Sequence, residues 1–387
     1  MSHLYSHLSA AKTILEKYNG EMPFGAFIKK YFSAEKKYGS RDRKTISSLC
    51  YNYFRIAFTL GKKSLEEKLL TGLFLFTDAP NEILLKHSKE WNDNTNLPVK
   101  EKAILAEVDI NAIFPFNIDL SAQIDAALFG HSLLVQPDLF IRTRTNDSDD
   151  VKRKLIDANI EYRQINDTCF SFANGTKLET TLIPNKEVVI QDLNSQRVGE
   201  MFQLADLPAK PKVWDCCAGS GGKSIMAVDY VSDIALTVSD IRPPIIHNLK
   251  KRFTEAGIRH YQSFVADVTN ATNLKKAIGL KRFDLIICDA PCSGSGTWGR
   301  TPEQLLYFKK NKIINYSNLQ KKIAINAVPY LATKGYFLYI TCSAFKKENE
   351  DVVAFILQQS DLKLVNQVLL TGYEDRADTM FAALFAL

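Results

Sequence analysis

Hydrophobic positions change their spacing along the chain, and this change divides it into three regions. Residues 1–135 repeat apolar side chains three and four positions apart, as at Leu8 and Ala11, which is the spacing of a helix. Residues 136–200 combine short apolar runs with a helical stretch, whereas residues 201–387 alternate apolar runs with helical segments. We therefore predict an all-helical domain, a small α+β module, and an α/β domain built on a doubly wound parallel sheet.

Short apolar runs locate the predicted strands. In the middle region they lie at 139–145, 162–165, 169–172 and 188–190, with a helix at 147–157, and in the last region at 212–216, 234–239, 262–266, 284–288 and 336–340. Residues 379–387 are predicted to form an edge strand. The polar segment 92–98 is predicted to be a loop or a seam between domains, and Ser40 to cap the helix that follows it.

Composition narrows the class of protein. The 387 residues are 46% hydrophobic and 24% charged, and no apolar run in the sequence is long enough to cross a membrane. The first 20 residues lack the apolar core of a signal peptide, and the seven cysteines have no framework spacing. These features predict a cytoplasmic protein with reduced thiols, which we expect to be a monomer.

Positive charge adds a weak indication of the partner. The net charge of +6 and the pI near 8.7 favour a polyanion, although many metabolic enzymes are as basic. Clusters of lysine and arginine at 250–252, 309–312 and 321–322 lie close in sequence to the residues discussed below. Such clusters are typical either of a solvated helix face or of a surface that binds nucleic acid.

A glycine-rich turn follows the first predicted strand of the α/β domain. Residues 217–224 read Cys-Ala-Gly-Ser-Gly-Gly-Lys-Ser, and glycines let a backbone turn tightly and approach a ligand. Asp240 ends the second strand and suits the two hydroxyls of a ribose. Asp267 ends the third and suits an adenine amino group, and Asp289 ends the fourth. Together they indicate a cofactor that contains a nucleoside, and S-adenosylmethionine fits better than a dinucleotide.

The same turn resembles the end of a phosphate-binding P-loop, and residues 285–289 resemble its magnesium-holding strand. The P-loop requires a glycine five positions before Gly222, where this chain has Cys217. Cys292 and Cys342 would also have no catalytic role in a nucleotide hydrolase. We therefore reject that class.

Two cysteines follow the last two predicted parallel strands. Cys292 lies in Asp-Ala-Pro-Cys-Ser at 289–293, and Cys342 lies in Thr-Cys-Ser at 341–343. Parallel strands of one sheet end at one edge, so both thiols and the Asp289 carboxyl should meet there. This set suits methylation of cytosine at C5, in which a thiolate adds at C6, C5 takes the methyl group and the sulfur then leaves. Asp289 would stabilise the negative charge that develops near N3.

The roles of the two thiols follow from how cytosine methyltransferases use them. DNA enzymes attack with the cysteine of a Pro-Cys motif, whereas RNA enzymes attack with a second cysteine and use the first for release. We therefore assign Cys342 as the nucleophile and Cys292 as the release residue. Buried hydrophobic positions are expected for Cys50, Cys169, Cys216 and Cys288. Neither a Cys-x-x-Cys pair nor a nearby histidine indicates zinc, so we expect no metal.

At these motifs the chain resembles the Sun/RsmB/Nop family of RNA cytosine-C5 methyltransferases. Residues 217–224 match its Cys-Ala-Ala-Pro-Gly-Gly-Lys-Thr loop, and 289–296 match its Asp-Ala-Pro-Cys-Ser-Gly-(Ser/Thr)-Gly segment. Residues 341–343, followed by 348–350, match Thr-Cys-Ser followed by Glu-Glu-Asn. With Gln-Asp-Leu-Asn-Ser-Gln at 191–196, the resemblance covers roughly the last 200 residues.

The resemblance implies a class I methyltransferase fold, Rossmann-like, with S-adenosylmethionine as the cofactor and RNA as the partner. The residues that it implies at the cofactor are Cys217 (through its backbone), Ala218, Gly219, Ser220, Gly221, Gly222, Lys223, Asp240, Asp267 and Asp289. It implies that catalysis rests on Cys342, Cys292, Asp289 and Lys223, with Lys223 reaching into the catalytic pocket. It also implies that residues 300–303 lie beside the active site.

Two further parts of the family are matched outside the catalytic domain. Residues 136–200, with Ile-Arg-Thr-Arg at 141–144, resemble an RNA-recognition-like extension. Residues 1–135, with Ser-Arg-Asp-Arg at 40–43, are similar to the NusB-like domain of the RsmB branch.

The chain departs from the family pattern at three places. Ser220 replaces a proline, Arg144 replaces an asparagine, and residues 379–381 replace Gly-Phe-Phe. We expect the first to tolerate catalysis and the other two to alter RNA contacts.

The function implied is methylation of a cytosine in ribosomal RNA, at a base that leaves its stack to expose C6. Transfer RNA stays open as the substrate. The contrasting class is a non-catalytic RNA-binding or ribosome-assembly protein that keeps the fold. Intact Cys292, Cys342, Asp289 and Lys223 argue against that class.

Overall fold

The structure is a computed structural model and describes residues 3–144, 148–231 and 233–387. Its helices are α1 (His3–Lys17), α2 (Phe24–Ala34), α3 (Ser40–Ile56), α4 (Leu65–Phe76), α5 (Glu82–His87), α6 (Lys89–Asp93), α7 (Val99–Leu105), α8 (Ala126–Ser132), α9 (Ser148–Asp157), α10 (Leu193–Arg197), α11 (Gly222–Tyr230), α12 (Pro243–Glu255), α13 (Ala271–Ile278), α14 (Glu303–Tyr307), α15 (Asn311–Ala327) and α16 (Glu350–Gln359). Its strands are β1 (Leu139–Thr143), β2 (Arg163–Gln164), β3 (Cys169–Phe172), β4 (Val188–Ile190), β5 (Lys212–Asp215), β6 (Ala235–Asp240), β7 (Tyr261–Val265), β8 (Phe283–Asp289), β9 (Leu331–Thr341), β10 (Lys363–Leu370) and β11 (Met380–Ala386).

The chain forms two compact units that interrupt each other along the sequence. The helical unit takes Met1–Ile118, Asp125–Gln136 and Trp298–Lys309, and the sheet unit takes Asp119–Ile124, Pro137–Thr297 and Lys310–Leu387. Helix α14 therefore belongs to the helical unit although it lies between strands β8 and β9 in sequence.

The helical unit is held together by the apolar faces of its helices. Side chains of α1 to α4 meet in one core, which includes Ile14, Phe24, Phe54 and Leu69. The Tyr18 ring adds edge-to-face contacts with Phe24 and Phe54. The helical spacing predicted this arrangement of buried positions.

One local prediction in this unit is wrong and another is partly right. Helix α3 begins at Ser40, and its N-cap is Gly39, whose N–H donates to the Asp42 carboxylate at 3.0 Å. Residues 94–98 form the predicted loop, but 92 and 93 belong to α6, and the segment lies within one unit rather than at a domain seam. Asn92 lies in α6, is buried, and accepts the Asn81 N–H at 2.8 Å, so its polarity serves a hydrogen bond inside the unit.

A small antiparallel sheet with the order β2-β3-β1-β4 forms the first part of the sheet unit. Helix α9 covers it with Val151 and Leu155, which lie four residues apart on one face and pack against Ile141 and Phe170. The strands and the helix lie where the sequence predicts them, to within two residues, while positions 145 and 147 fall outside the described residues.

The large sheet has the order β10-β11-β9-β8-β5-β6-β7. Strands β5 to β9 run parallel, and β11 runs antiparallel to both β9 and β10. Alternate residues of β5 face opposite layers: Val213 packs with α11 and α12, and Trp214 with α13, α15 and α16. Helices thus cover both faces, and the predicted doubly wound sheet is confirmed.

The prediction of an edge strand at 379–387 is wrong. Strand β11 lies inside the sheet, and Met380–Phe385 are all buried. Apolar side chains on both faces suit an interior strand rather than an edge. The edge is β10, whose first five residues are exposed and which was not predicted.

Among the described residues, every helix is too short or too polar to cross a bilayer.

Candidate active site

Strand order brings the predicted site residues to one edge of the large sheet. Strands β5 and β8 are neighbours, yet the chain leaves β5 toward β6 and β7 before it returns to β8. This is the switch point at which open parallel sheets form a ligand crevice. Backbone bonds of 2.9 Å fix the loops there, from the Ala218 N–H to the Ser239 carbonyl and from the Ala290 N–H to the Ile340 carbonyl.

Cys292 and Cys342, here called the thiol pair, lie with their Sγ atoms 3.3 Å apart. Both side chains are partly exposed. The Gly296 N–H donates to the Cys342 carbonyl at 2.9 Å, and a Cβ at Gly296 would lie 2.1 Å from the Thr379 carbonyl oxygen, so only glycine fits. The contact with Cys342, together with burial, raises the pKa of Cys292 well above its usual value. This favours the protonated form of Cys292, which can donate to the Cys342 sulfur.

A buried carboxylate holds the two loops that carry the thiol pair. Glu348 accepts the Ser293 N–H at 2.8 Å, the Ser343 hydroxyl at 3.1 Å and the Gln320 amide at 3.0 Å. The neighbouring Asn349 donates to the Ser343 carbonyl at 2.8 Å. Because Ser293 and Ser343 each follow one cysteine of the pair, these bonds set the distance between the two thiols.

Lys223 joins the carboxyl end of β8 to the motif at 191–196. Its Nζ lies 3.5 Å from the Asp289 carboxylate and donates to the Ser195 hydroxyl at 2.6 Å. Only 8% of the Lys223 side chain is exposed, against 34% for Asp289. Gln191 in turn donates to the Ser195 hydroxyl at 3.2 Å. Ser195 therefore orients the lysine, a role that the sequence motif gave no reason to assign.

The glycine-rich turn positions the first helix of the large sheet. Gly221 has a φ of +84°, and a Cβ there would lie 2.6 Å from the Phe253 ring. The Gly219 N–H donates at 3.0 Å to Asp240, which also accepts two bonds from the Arg242 guanidinium at 2.9 and 3.0 Å. Although burial opposes it, the hydrogen bonds from Arg242 lower the pKa of Asp240. Asp240 is therefore an oriented carboxylate at the end of β6.

A pocket of about 390 Å³ opens beside this carboxylate. Its walls are formed by Cys216, Cys217, Asp240, Ile241, Arg242, Ala266, Asp267, Val268, Thr269, Asp289, Pro291, Leu319 and Ile323. Four of the residues predicted at the cofactor, Cys217, Asp240, Asp267 and Asp289, thus meet around one cavity. Ala218, Gly219, Ser220, Gly221, Gly222 and Lys223 do not line that cavity in the described structure.

The departures from the family pattern have local explanations. Ser220 is exposed and its hydroxyl accepts from the Arg252 guanidinium at 3.0 Å. Arg144 is buried, bonds to the Asp229 carboxylate at 2.7 Å and donates to the Ala256 carbonyl. Thr379 is also buried, and its N–H donates to the Gly296 carbonyl. Both residues therefore have partners inside the sheet unit, and the expectation that they alter RNA contacts stays a prediction.

The segment 300–303 belongs to the helical unit, where the Glu303 carboxylate is buried and accepts the Phe24 N–H at 3.1 Å. Its place beside the active site stays a prediction from the resemblance. Burial raises the pKa of Glu303.

Two features of this edge of the sheet were not predicted from the sequence. The thiols of Cys216, Cys217 and Cys288 lie within 4.8 Å of one another, because Cys216 and Cys288 extend the neighbouring strands β5 and β8. Asp215 is fully buried, accepts the Ser224 hydroxyl at 2.6 Å, and has its pKa raised to about 8 by burial. In the sequence, Cys216, Cys288 and Asp215 look like ordinary residues of buried strands. Their proximity becomes evident only from the order of the strands.

The large sheet and the crevice at its edge have the class I methyltransferase fold. Its solved relatives include PH0851, with a TM-score of 0.72 and 18% identity over 98% of this chain and 96% of that one. At that identity the likeness shows the fold, and the predicted class I fold is confirmed.

Sequence comparison finds a family model and named relatives that are similar to part of this chain. Residues 202–379 match the family described as 16S rRNA methyltransferase RsmB/F. Ribosomal RNA small subunit methyltransferase B of Xylella fastidiosa is 28% identical over 176 residues, 45% of this chain and 40% of that protein. The tRNA (cytosine(49)-C(5))-methyltransferase of Pyrococcus abyssi is 28% identical over 172 residues, 44% of this chain and 54% of that protein. The match at residues 202–379 supports the predicted resemblance to the Sun/RsmB/Nop family. The chain spans about half or less of the length of these relatives.

Proposed function

We propose that this protein transfers a methyl group from S-adenosylmethionine to C5 of a cytosine in RNA, with ribosomal RNA as the substrate. The observation that carries the proposal is the 3.3 Å contact between the sulfurs of the thiol pair. A single thiol is enough to activate a cytosine. A second thiol in contact with the first suits an enzyme that must also expel it from the ring.

S-adenosylmethionine fits the pocket at the sheet edge. The volume of about 390 Å³ lies within the range of about 300 to 1,000 Å³ that small-molecule sites occupy. The Asp240 carboxyl suits the ribose hydroxyls, and the Asp267 carboxyl suits the adenine amino group. Each carboxylate accepts up to about four hydrogen bonds, so acceptor sites remain beyond those described. When bound, the cofactor supplies the methyl group.

The residues of the chain would prepare the cytosine for that transfer. The Cys342 thiolate forms a bond to C6, and electron density moves to C5 and toward N3. The raised pKa of Cys292 supports this assignment, because a thiol that keeps its proton is a poor nucleophile and a suitable hydrogen-bond donor. Lys223, 3.5 Å from Asp289, can pass a proton through that carboxyl to N3, which limits the charge on the ring.

Release reverses the first bond. After C5 has gained the methyl group, its proton is lost to solvent, and the electrons of the C5–H bond form the C5=C6 double bond as the S–C6 bond breaks. N3 returns its proton to the Asp289 carboxylate. Cys292 donates a hydrogen bond to the departing Cys342 sulfur, which makes that sulfur a better leaving group.

We further propose that residues 1–135, as a NusB-like domain, and 136–200, as an RNA-recognition-like module, bind the substrate, with 201–387 as the catalytic domain. Exposed lysines at 250, 251, 309, 310 and 312 support contact with phosphates. RNA binding should then weaken steeply with salt, and an affinity that stays the same from low to moderate salt would count against it. A cytoplasmic location and a monomeric state remain predictions from the sequence.

The relatives support ribosomal RNA first and transfer RNA second. The matched family and the Xylella fastidiosa relative are named for ribosomal RNA, whereas the Pyrococcus abyssi relative is named for transfer RNA. The substrate is therefore the part of the proposal that most needs an experiment.

The test is a methyl-transfer assay with the whole chain. Total RNA from cells that lack this protein is incubated with methyl-labelled S-adenosylmethionine, separated by size and digested to nucleosides. The proposal predicts label in 5-methylcytidine from ribosomal RNA, and label in transfer RNA would move the assignment to the second substrate. Cofactor binding without label in naked RNA or isolated ribosomal particles would overturn the proposal in favour of a non-catalytic RNA-binding protein.

A further inference from the structure

Cys216, Cys217 and Cys288, here called the thiol trio, are not used by the mechanism above. Their three Sγ atoms lie within 4.8 Å of one another. Cys216 follows β5 and Cys288 is the penultimate residue of β8, and the Cys216 N–H donates to the Ile287 carbonyl at 2.9 Å. The parallel pairing of these strands therefore fixes two of the thiols side by side, and the next residue, Cys217, adds the third.

The spacing of the three sulfurs suits a common ligand. Three thiolates around one Zn²⁺ at about 2.3 Å would lie about 3.8 Å from one another. The upper limit of 4.8 Å thus leaves at most about 1 Å for any pair to close. Side-chain rotation of Cys217, which is partly exposed and lies in a turn, can supply that movement.

The thiol trio can be reached from the pocket at the sheet edge, and apolar residues enclose it elsewhere. Cys216 and Cys217 line the pocket of about 390 Å³, while Cys288 is buried beneath them. The other walls of the trio are apolar, since Cys216 and Cys288 belong to the core that contains Trp214 and Phe337. An ion that enters from the pocket would meet three sulfurs and keep one coordination position toward the pocket.

Charge around the trio favours a cation. Asp240 and Asp289 line the same pocket as Cys216 and Cys217, so carboxyl groups border the path by which an ion would enter. Sulfur ligands select soft d¹⁰ ions over magnesium or calcium.

We propose that the thiol trio is a binding site for one thiophilic divalent ion, Zn²⁺ or Cd²⁺, reached from the pocket at the sheet edge. The proposal does not rest on methyl transfer, although the ion would enter through the pocket assigned to the cofactor. The expectation from the sequence that the chain holds no metal rested on the lack of a Cys-x-x-Cys pair, and strand pairing provides a cluster that this spacing rule does not detect.

The test uses Cd²⁺ as the probe, because cadmium thiolates absorb in the near ultraviolet in proportion to the number of thiolates bound. The thiol pair also offers two sulfurs, so the full chain carries Cys292→Ala and Cys342→Ala as a common background. Protein freed of metal and kept reduced is titrated with Cd²⁺. The expected result is one ion per chain with the absorbance of three thiolates.

Variants of the trio separate this site from other thiols. In the same background, Cys288→Val, Cys216→Ala and Cys217→Ala should each lose the three-thiolate absorbance. Cys169→Ala, which removes a buried thiol of the small sheet, should keep it. Cooperative thermal melting of each protein shows that it is folded, and three separate variants keep the test decisive if one fails to fold. No charge-transfer band in the background protein, or an equal band in folded trio variants, would overturn the proposal.

Discussion

The thiol pair and the thiol trio lie at the same edge of one sheet but are held in different ways. The pair lies on the loops after β8 and β9, and its partners are polar: Glu348 accepts from the residue that follows each cysteine. The trio lies at the strand ends themselves, and apolar side chains surround its two buried members. The pair is therefore placed by hydrogen bonds and the trio by strand pairing.

This difference suits the thiol pair to nucleophilic attack and the thiol trio to holding an ion. A nucleophile must reach a substrate, so its loops need support that leaves the sulfur partly exposed. A set of buried thiols cannot reach a base, but its fixed spacing suits an ion.

The largest effect is expected at Cys342. Cys342→Ala should lower methyl transfer to RNA to less than about one thousandth, because no other residue forms the bond to C6. The control is Cys50→Ala, which removes a buried thiol of the helical unit and should keep activity. Substantial turnover by Cys342→Ala would assign the attack to another residue.

The next largest effect is expected on cofactor affinity in the pocket that the thiol trio borders. Asp240→Ala should raise the dissociation constant of S-adenosylhomocysteine by about 10- to 100-fold, because a hydrogen bond to a charged group contributes about 1.5–3 kcal/mol. Isothermal calorimetry measures this constant. Asp361→Ala removes an exposed carboxylate and should leave it unchanged. Equal affinities for all three proteins would contradict the place assigned to the cofactor.

The support of the thiol pair is tested by Glu348→Gln. An amide cannot accept all three hydrogen bonds that the carboxylate accepts, so the free energy of unfolding should fall by about 1–3 kcal/mol. The turnover number should fall while cofactor affinity stays the same. Chemical denaturation and calorimetry measure the two quantities. Glu374→Gln, at an exposed glutamate, is the control, and a loss of cofactor affinity in Glu348→Gln would show that the network is not specific to the pair.

The last prediction concerns stability alone and is a change of slope with pH. Burial raises the pKa of Asp215 to about 8, above its usual 3.8, so the folded state holds a proton that the unfolded state has lost between these values. This group therefore gives full stability below about pH 4, and it lowers the free energy of unfolding by about 1.4 kcal/mol per pH unit up to about pH 8. Asp215→Asn should remove that slope, whereas Asp361→Asn should not. Denaturation curves from pH 5 to 8 that run parallel for both variants would contradict the assignment.

The sequence predicts those parts of the site that short motifs carry. Cys292 and Cys342 each follow an apolar run, and Asp240 and Asp267 each end one, so strand periodicity and the rule that parallel strands end at one edge locate them. The pocket bordered by Cys217, Asp240, Asp267 and Asp289 agrees with that reading.

The remainder depends on contacts between segments that are far apart in sequence. Cys288 joins Cys216 only because β5 and β8 pair, with Asp215 facing Ile287. Arg144 looks like a residue free to bind RNA until the fold places Asp229 beside it. The final strand resembles an edge strand by position, and only its burial on both faces shows that β10 lies outside it.

The central claim is that Cys342 attacks the base and Cys292 releases it. The most direct measurement uses Cys292→Ala protein, S-adenosylmethionine and RNA from cells that lack the protein, followed by a denaturing gel. A slow protein–RNA band is expected with Cys292→Ala protein and should disappear when Cys342→Ala is added. These roles would be contradicted by a band that persists without Cys342. They would also be contradicted if Cys292→Ala protein gave no band with an RNA that the unchanged protein methylates.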